Sequence, residues 1–337
     1  MEHVEPLTPQ LVFDTITAYQ RTAVIKTAVE LDVFTKIAEG NKTPQTIAAA
    51  CGASGRGIRI LCDYLTVLGF LTKENNQYNL NDVSAAFLNR HSPAFFGGTI
   101  DFLLSPMQRH GFDNLIDAVK NGGAAESDNQ ALAPDSEMWV KFARGMMPMM
   151  MPAAQMLAEN AGFEPDKKLK VLDIAAGHGI FGVAVAQKYK NAEIYAVDWT
   201  NVLQVATENA VKFGVSERHH LIEGSAFDVE YGTDYDLVLL TNFLHHFDKK
   251  TCETLLRKIY DSLADGGKVL TLEFVPNDDR VSPPMEATFS IVMLAGTPAG
   301  DAYTFAELKE MFENAGFTRN QHITLASLPQ HLIVSMK

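Results

Sequence analysis

His245 and His246 stand in Asn242-Phe-Leu-His245-His246-Phe-Asp-Lys-Lys, just past the apolar run YDLVLLT. A neutral imidazole in such a place can take a proton from a hydroxyl, while a His-His pair can equally cap a helix or face water. A second candidate is the glycine-rich turn Asp173-Ile-Ala-Ala-Gly177-His-Gly179-Ile-Phe-Gly182, which follows the run LKVLDI. Glycines let the backbone turn sharply there and approach a ligand closely. Read literally, Gly177 to Gly182 is a GxGxxG, the fingerprint of a dinucleotide site. The next apolar run ends at Asp198, at the spacing where a carboxylate accepts both hydroxyls of a ribose. Two ligands compete for such a site, a nicotinamide dinucleotide and S-adenosylmethionine. Asp173 separates them. A carboxylate at the strand end repels a pyrophosphate, whereas it tolerates or attracts the ammonium and sulfonium of S-adenosylmethionine.

The remaining polar candidates carry less. His178, inside the glycine turn, is expected to face solvent, and His219 and His220 open a strand. None has the spacing of a metal ligand. A metal-assisted site would place acids after both the fourth and the fifth strand. Asn277-Asp278-Asp279 follows the fifth and reads as a solvated loop, but after the fourth only Asn242 is available. No metal is expected.

These residues need a scaffold, and the rhythm of the chain supplies one. From Leu169 onward, LKVLDIA, AEIYAVD, HHLIEGSA, YDLVLLTN and GKVLTLEFV are short runs rich in β-branched residues. Helical patterns at 181–190 and 201–213 separate some of them, and none follows HHLIEGSA. Alternation of strand and helix implies a mostly parallel sheet with helices on both faces. After a helix at 305–315, strand candidates 319–326 and 331–336 are so close that they must be antiparallel, closing the sheet with a C-terminal hairpin. Residues 11–120 are helix-rich. Within them a short helix, a glycine turn, a second helix and strand pieces 70–73 and 77–80 follow one another, with Asn75-Asn76 between the strands, in the order of a winged helix. Residues 121–137 read as a polar linker. Six of the 13 methionines then fall between Met146 and Met156, either filling irregular core space or walling a flat apolar ligand.

Composition narrows the partners. With 337 residues, 47% apolar, the chain has room for about two domains. A net charge of −13 disfavours nucleic acid and anionic lipid, and the presumed recognition helix offers only Arg56 and Arg59 as cations. Cys51, Cys62 and Cys252 form no CxxC pair, so neither a disulfide framework nor a structural zinc is expected. Without an apolar leader or membrane span, the expected location is cytoplasmic.

In the order and spacing of these motifs the chain resembles, over nearly its whole length, the S-adenosylmethionine-dependent O-methyltransferases of the caffeic acid and hydroxyneurosporene type. The resemblance implies an α/β fold, with a Rossmann-like seven-stranded sheet in a catalytic domain over 106–337. It implies a helical winged-helix dimerisation domain over 1–105, hence a homodimer, and connecting helices over 106–166 that line the substrate pocket. It places the cofactor on Asp173, Ala175 (a glycine in the family), Gly177, Asp198 for the ribose and Trp199 against the adenine. Ser225, Ala226 and Phe227 follow, with Ser225 standing where the family has an acid, and Thr241 stands where it has a lysine. His245 aligns with the catalytic base and His246 with the acid after it. Glu273, 28 residues beyond His245, aligns with the glutamate that orients the base. The family's second glutamate falls on Ala302, and Asp301 beside it is the available substitute. Phe142, Met146 and Met293 match residues around an aromatic acceptor, so the pocket is expected to be apolar and to take a flat or polyene hydroxyl compound. Methylation at nitrogen or sulfur, or a nicotinamide oxidoreductase using the literal GxGxxG, are the alternatives.

Overall fold

The computed structural model describes residues 7–125, 136–326 and 328–337, so most of the expected linker lies outside the described residues. The chain divides into two compact units, Met1–Ser105 and Pro106–Lys337.

In the first unit, helix Pro44–Cys51 starts with a capping box between Thr43 and Thr46 and stops at Gly52, whose φ is 63°. Helix Gly55–Val67, capped by Ser54, buries Ile58, Cys62 and Leu65 against Phe34, Ile47 and Tyr78. Strands β1 (Leu71–Glu74) and β2 (Gln77–Leu80) follow. Asn75 and Asn76 both adopt left-handed φ, 48° and 61°. That is the two-residue turn whose twist matches a hairpin, and it pairs Glu74 with Gln77, one residue beyond the expected strand end. The two helices and hairpin are the winged-helix order. Arg59 and Lys73 are both paired with Asp63, at 2.8 and 2.5 Å. The N-terminal helices Gln10–Ile16 and Ala18–Glu30 leave Leu11, Val12, Phe13, Ile16 and Tyr19 exposed.

In the second unit a seven-stranded sheet has the order β5-β4-β3-β6-β7-β9-β8. Strands β3 (Leu169–Ile174), β4 (Ala192–Asp198), β5 (His219–Glu223), β6 (Tyr235–Thr241) and β7 (Leu263–Phe274) are parallel. Helices Ile180–Lys188, Thr200–Lys212 and Lys249–Ser262 make the crossovers, and none follows β5. The closing strands, β8 (Arg319–Thr324) and β9 (Gln330–Met336), are antiparallel, and β9 inserts between β7 and β8. Because β9 runs against β7, it begins at the carboxyl end of the parallel strands, where Glu273 faces His331 and Phe274 faces Gln330. Helix Glu137–Asn160 carries the methionine cluster and contains Pro148 and Pro152, each of which removes one helical hydrogen bond. Among the described residues no helix is long and apolar enough to cross a membrane.

Candidate active site

The glycine turn leaves β3 through three left-handed residues, Ala175 (φ 52°), Gly177 (58°) and Gly179 (69°). Ala175 holds a conformation that costs a residue with a side chain about 1–2 kcal/mol, so it sits in the turn under strain. A Cβ on Gly179 would lie 2.8 Å from Ala206 Cβ, which shows how closely helix Thr200–Lys212 packs on the turn. Asp173 is fully buried. Its Oδ2 accepts a hydrogen bond from the Gly182 N–H at 3.1 Å, while Oδ1 has no partner among the described residues. Gly182 makes that approach because it lacks a side chain: a Cβ there would sit 2.9 Å from the same Oδ2. Burial pushes the Asp173 carboxyl up to about 7, opposed by the Gly182 N–H and reinforced by nearby Asp198. Asp198, at the end of β4, accepts from Gly177 N–H at 2.8 Å and Trp199 N–H at 2.7 Å. Burial outweighs these bonds and raises it to about 6.

Around this pair, Trp199 packs, as do Trp139 and Val140 of the long helix, against the cluster of Ala143, Val202 and Val205. Ser225 uses its hydroxyl to accept from the Phe227 N–H at 3.2 Å, which closes a local turn. Ala226 is buried, Phe227 lies against Phe243 and Phe247, and Thr241 is buried at the end of β6. His178 departs from expectation. It is 3% exposed, its Nδ1 accepts from Ile180 N–H at the start of the next helix, and burial drives it down to about 4. The turn folds the ring inward as a helix cap.

Strands β6 and β7 build the other half. Asn242 leaves β6 with φ 52° and starts the short turn that carries His245. His245 is 5% exposed and its Nδ1 lies 2.5 Å from Glu273 Oε2. The other oxygen, Oε1, accepts from the N–H groups of Phe243 and Leu244 at 2.9 and 2.8 Å. One carboxylate therefore fixes both the ring and the turn beneath it. With Nδ1–H donated to Glu273, Nε2 is the nitrogen left to receive a proton. His246 sits among the rings of Trp139, Phe243, Phe247 and His245, and Phe142 packs edge-on against the same Trp139. Burial, with His245 next to it, holds His246 well below its ordinary value and therefore neutral. Met146 and Met293 are buried on two different helices, Glu137–Asn160 and Pro284–Gly296.

Asp301, the available substitute for the family's second glutamate, is engaged with another partner. Its carboxylate pairs with Arg280 at 3.1 Å on a half-exposed surface, and Ala302 is the buried neighbour. Two residues missed in the sequence matter here. The Phe289 ring stands nearly perpendicular to the His245 ring, with centroids 4.9 Å apart, and stacks on Phe274 with centroids 4.0 Å apart. It lies one helical turn before Met293, a spacing that could have found it. Gly300 touches the backbone of the histidine turn so closely that a Cβ would fall 2.2 Å from His245 O. No sequence signal beyond the glycine itself marks it.

Comparison with known proteins places this geometry. Residues 114–318 match the model of the O-methyltransferase domain, and residues 13–90 match that of the O-methyltransferase dimerisation domain. The chain is 25% identical to 3-hydroxy-5-methyl-1-naphthoate 3-O-methyltransferase of Streptomyces sahachiroi, over 95% of this chain and 92% of that protein. A crystal structure of a putative O-methyltransferase from Nostoc punctiforme is 53% identical, with a TM-score of 0.94, covering 99% of this chain and 100% of that one. Human N-acetylserotonin methyltransferase, solved in complex with S-adenosylmethionine, shares the fold at 22% identity and a TM-score of 0.85, covering 100% and 99% of the two chains. The sheet order, the dimerisation segment and these likenesses agree: the chain belongs to the O-methyltransferase family.

Proposed function

We propose that this enzyme methylates a hydroxyl of a small aromatic or polyene metabolite from S-adenosylmethionine, with His245 as base and Glu273 as its orienting partner. The observation that carries the reading is the buried His245–Glu273 pair, which stands at the same end of the sheet as the acidic glycine turn. S-adenosylmethionine, when bound, supplies a methyl group on a sulfonium, which is already a good leaving group. The residues fit a cationic ligand: Asp173 keeps an unpartnered buried oxygen and Asp198 adds a second carboxylate beside it. Asp198 is assigned to the ribose and Trp199, with Ser225, Ala226 and Phe227, to the adenine. Thr241, without the charge of a lysine, is assigned to the same ligand from the end of β6. His245 Nε2 takes the hydroxyl proton, and Glu273 stabilises the imidazolium that forms, help worth about 10²–10⁴ in rate.

A histidine base does the deprotonation that a metal would otherwise assist. The Asp279 carboxylate is committed to its own loop, accepting from Val281 N–H, Ser282 N–H and the Ser282 hydroxyl. Phe142, Met146 and Met293 are assigned to the acceptor pocket, on the connecting segment 106–166 and the helix after β7. The exposed apolar residues of the first two helices, with the dimerisation match, support a homodimer through the N-terminal unit. Calorimetry with S-adenosylhomocysteine and, separately, NADH tests the ligand. Micromolar binding of the first alone is expected, and binding of NADH alone would overturn the reading.

A further inference from the structure

Beyond the His245–Glu273 pair, a second carboxylate–imidazole pair is buried at the same end of the sheet. Glu286, in the first turn of helix Pro284–Gly296, is 7% exposed, and its Oε1 lies 3.5 Å from Nε2 of His331, which is 5% exposed. The other nitrogen of that ring, Nδ1, lies 2.7 Å from Nε2 of His322, on which Phe305 stacks. One tautomer suits the chain: His322 Nε2–H donates to His331 Nδ1, and His331 Nε2–H faces the Glu286 carboxylate at 3.5 Å. Burial lowers His331 against the pull of Glu286, and partial desolvation lowers His322, which is exposed but packed on Phe305 and His331.

Packing alone does not ask for a carboxylate here, since a leucine would fill the space without desolvating a charge. What the pair adds is direction. His331 is the register partner of Glu273, and Phe274, next along β7, is the ring on which Phe289 stacks. Glu286 and Phe289 are three residues apart, on one face of the helix. The helix is thus pinned to the strand ends that hold Glu273 at two adjacent points, and the second point, Phe289, packs perpendicular to the His245 ring.

We propose that Glu286 is a positioning residue: through His331 it fixes the start of helix Pro284–Gly296, so that Phe289 holds the His245 ring in line with Glu273. The proposal rests on His245 as the base but is read without turnover. The test uses full-length protein labelled with ¹⁵N-histidine and saturated with S-adenosylhomocysteine. The probe is the His245 Nδ1–H proton, identified by its loss in His245→Ala. In the unaltered protein this proton should be protected from exchange with water. Glu286→Leu, which keeps the volume, should speed its exchange about tenfold or more, and Glu286→Gln, which keeps a carbonyl oxygen facing His331, should restore it. Phe289→Leu should free the His245 proton while leaving the His331 signals in place, and it decides the matter if Glu286→Leu does not fold. Exchange within twofold of the original in Glu286→Leu, no rescue by glutamine, or no protected proton to begin with would each overturn the proposal. If His245→Ala keeps its turnover with an acceptor, it is the base assignment that fails, and the exchange data still report on Glu286.

Discussion

Two buried carboxylates stand at the carboxyl end of the sheet in unlike company. Glu273 receives three hydrogen bonds, two from backbone N–H groups and one from His245. Asp173 receives one, from Gly182, and its second oxygen is left without a partner among the described residues. An acid whose acceptors are all engaged is a holder of protein geometry. An acid buried with an unused oxygen is stabilised only when something cationic or hydrogen-donating arrives. The sheet end therefore has a finished side at β6 and β7 and an unfinished side at β3 and β4, and most of the proposed cofactor contacts fall on the second.

The strongest way to break this contrast is at the finished side. His245→Ala should lower turnover about 10²–10⁴-fold with methyl-labelled donor, while affinity for S-adenosylhomocysteine stays within about threefold. Glu273→Ala should lose as much turnover and, by leaving two buried N–H groups and the imidazole unpaired, also about 3–5 kcal/mol of stability in urea unfolding. Equal loss of cofactor affinity in either variant would mean that the two sides are not separate. On the unfinished side, Asp198→Ala should weaken S-adenosylhomocysteine binding about 10–100-fold by calorimetry, the worth of one or two hydrogen bonds to a charged group. An unchanged affinity removes Asp198 from the site.

The pH dependence sharpens the same contrast. Burial raises Asp173 to about 7 and Asp198 to about 6, so below those values the free enzyme carries protons there. A cationic ligand favours the ionised acids, so its binding expels protons. Affinity for S-adenosylmethionine should therefore rise between pH 5 and 7, by up to about tenfold per pH unit for each group titrating, and level off above pH 7. Calorimetry in buffers of different ionisation enthalpy would count the released protons. Asp173→Asn should remove the upper step, and an affinity flat from pH 5 to 8 would mean that both acids are already ionised in the free enzyme.

What the sequence disclosed follows from where the physics is local. The glycine turn and the Asn75-Asn76 hairpin are set by backbone conformations that few residues adopt, and Asp198 ends a short apolar run, so all three are readable within a short window. Ala175 adopts a left-handed φ of 52° as well, without a glycine to announce it. Glu273 was placed by its distance from His245 in a known pattern, because nothing local joins β6 to β7. His178 was misread because a polar residue in a glycine turn looks solvated until the following helix closes over it. Phe289 and Gly300 act through segments that meet only after the sheet is assembled, so a single sequence marks them weakly.

The smallest effect is expected at Asp301, and it tests the idea that the finished side is complete with one acid. Asp301 shares Arg280 with Glu307 on a half-exposed surface. Such pairs contribute about 0–1 kcal/mol, and Glu307 remains to hold the arginine if Asp301 is neutralised. Asp301→Asn should leave turnover within twofold and the unfolding midpoint nearly unmoved. Ala302→Glu restores an acid at the aligned position, but Ala302 is fully buried, so the longer side chain must displace its neighbours or enter the space around His245. Loss of stability there, with Asp301→Asn silent, is the expected pair of results. A tenfold fall in turnover for Asp301→Asn would instead mean that Asp301 leaves Arg280 during the reaction and reaches His245, and that Glu273 alone does not suffice to hold the base.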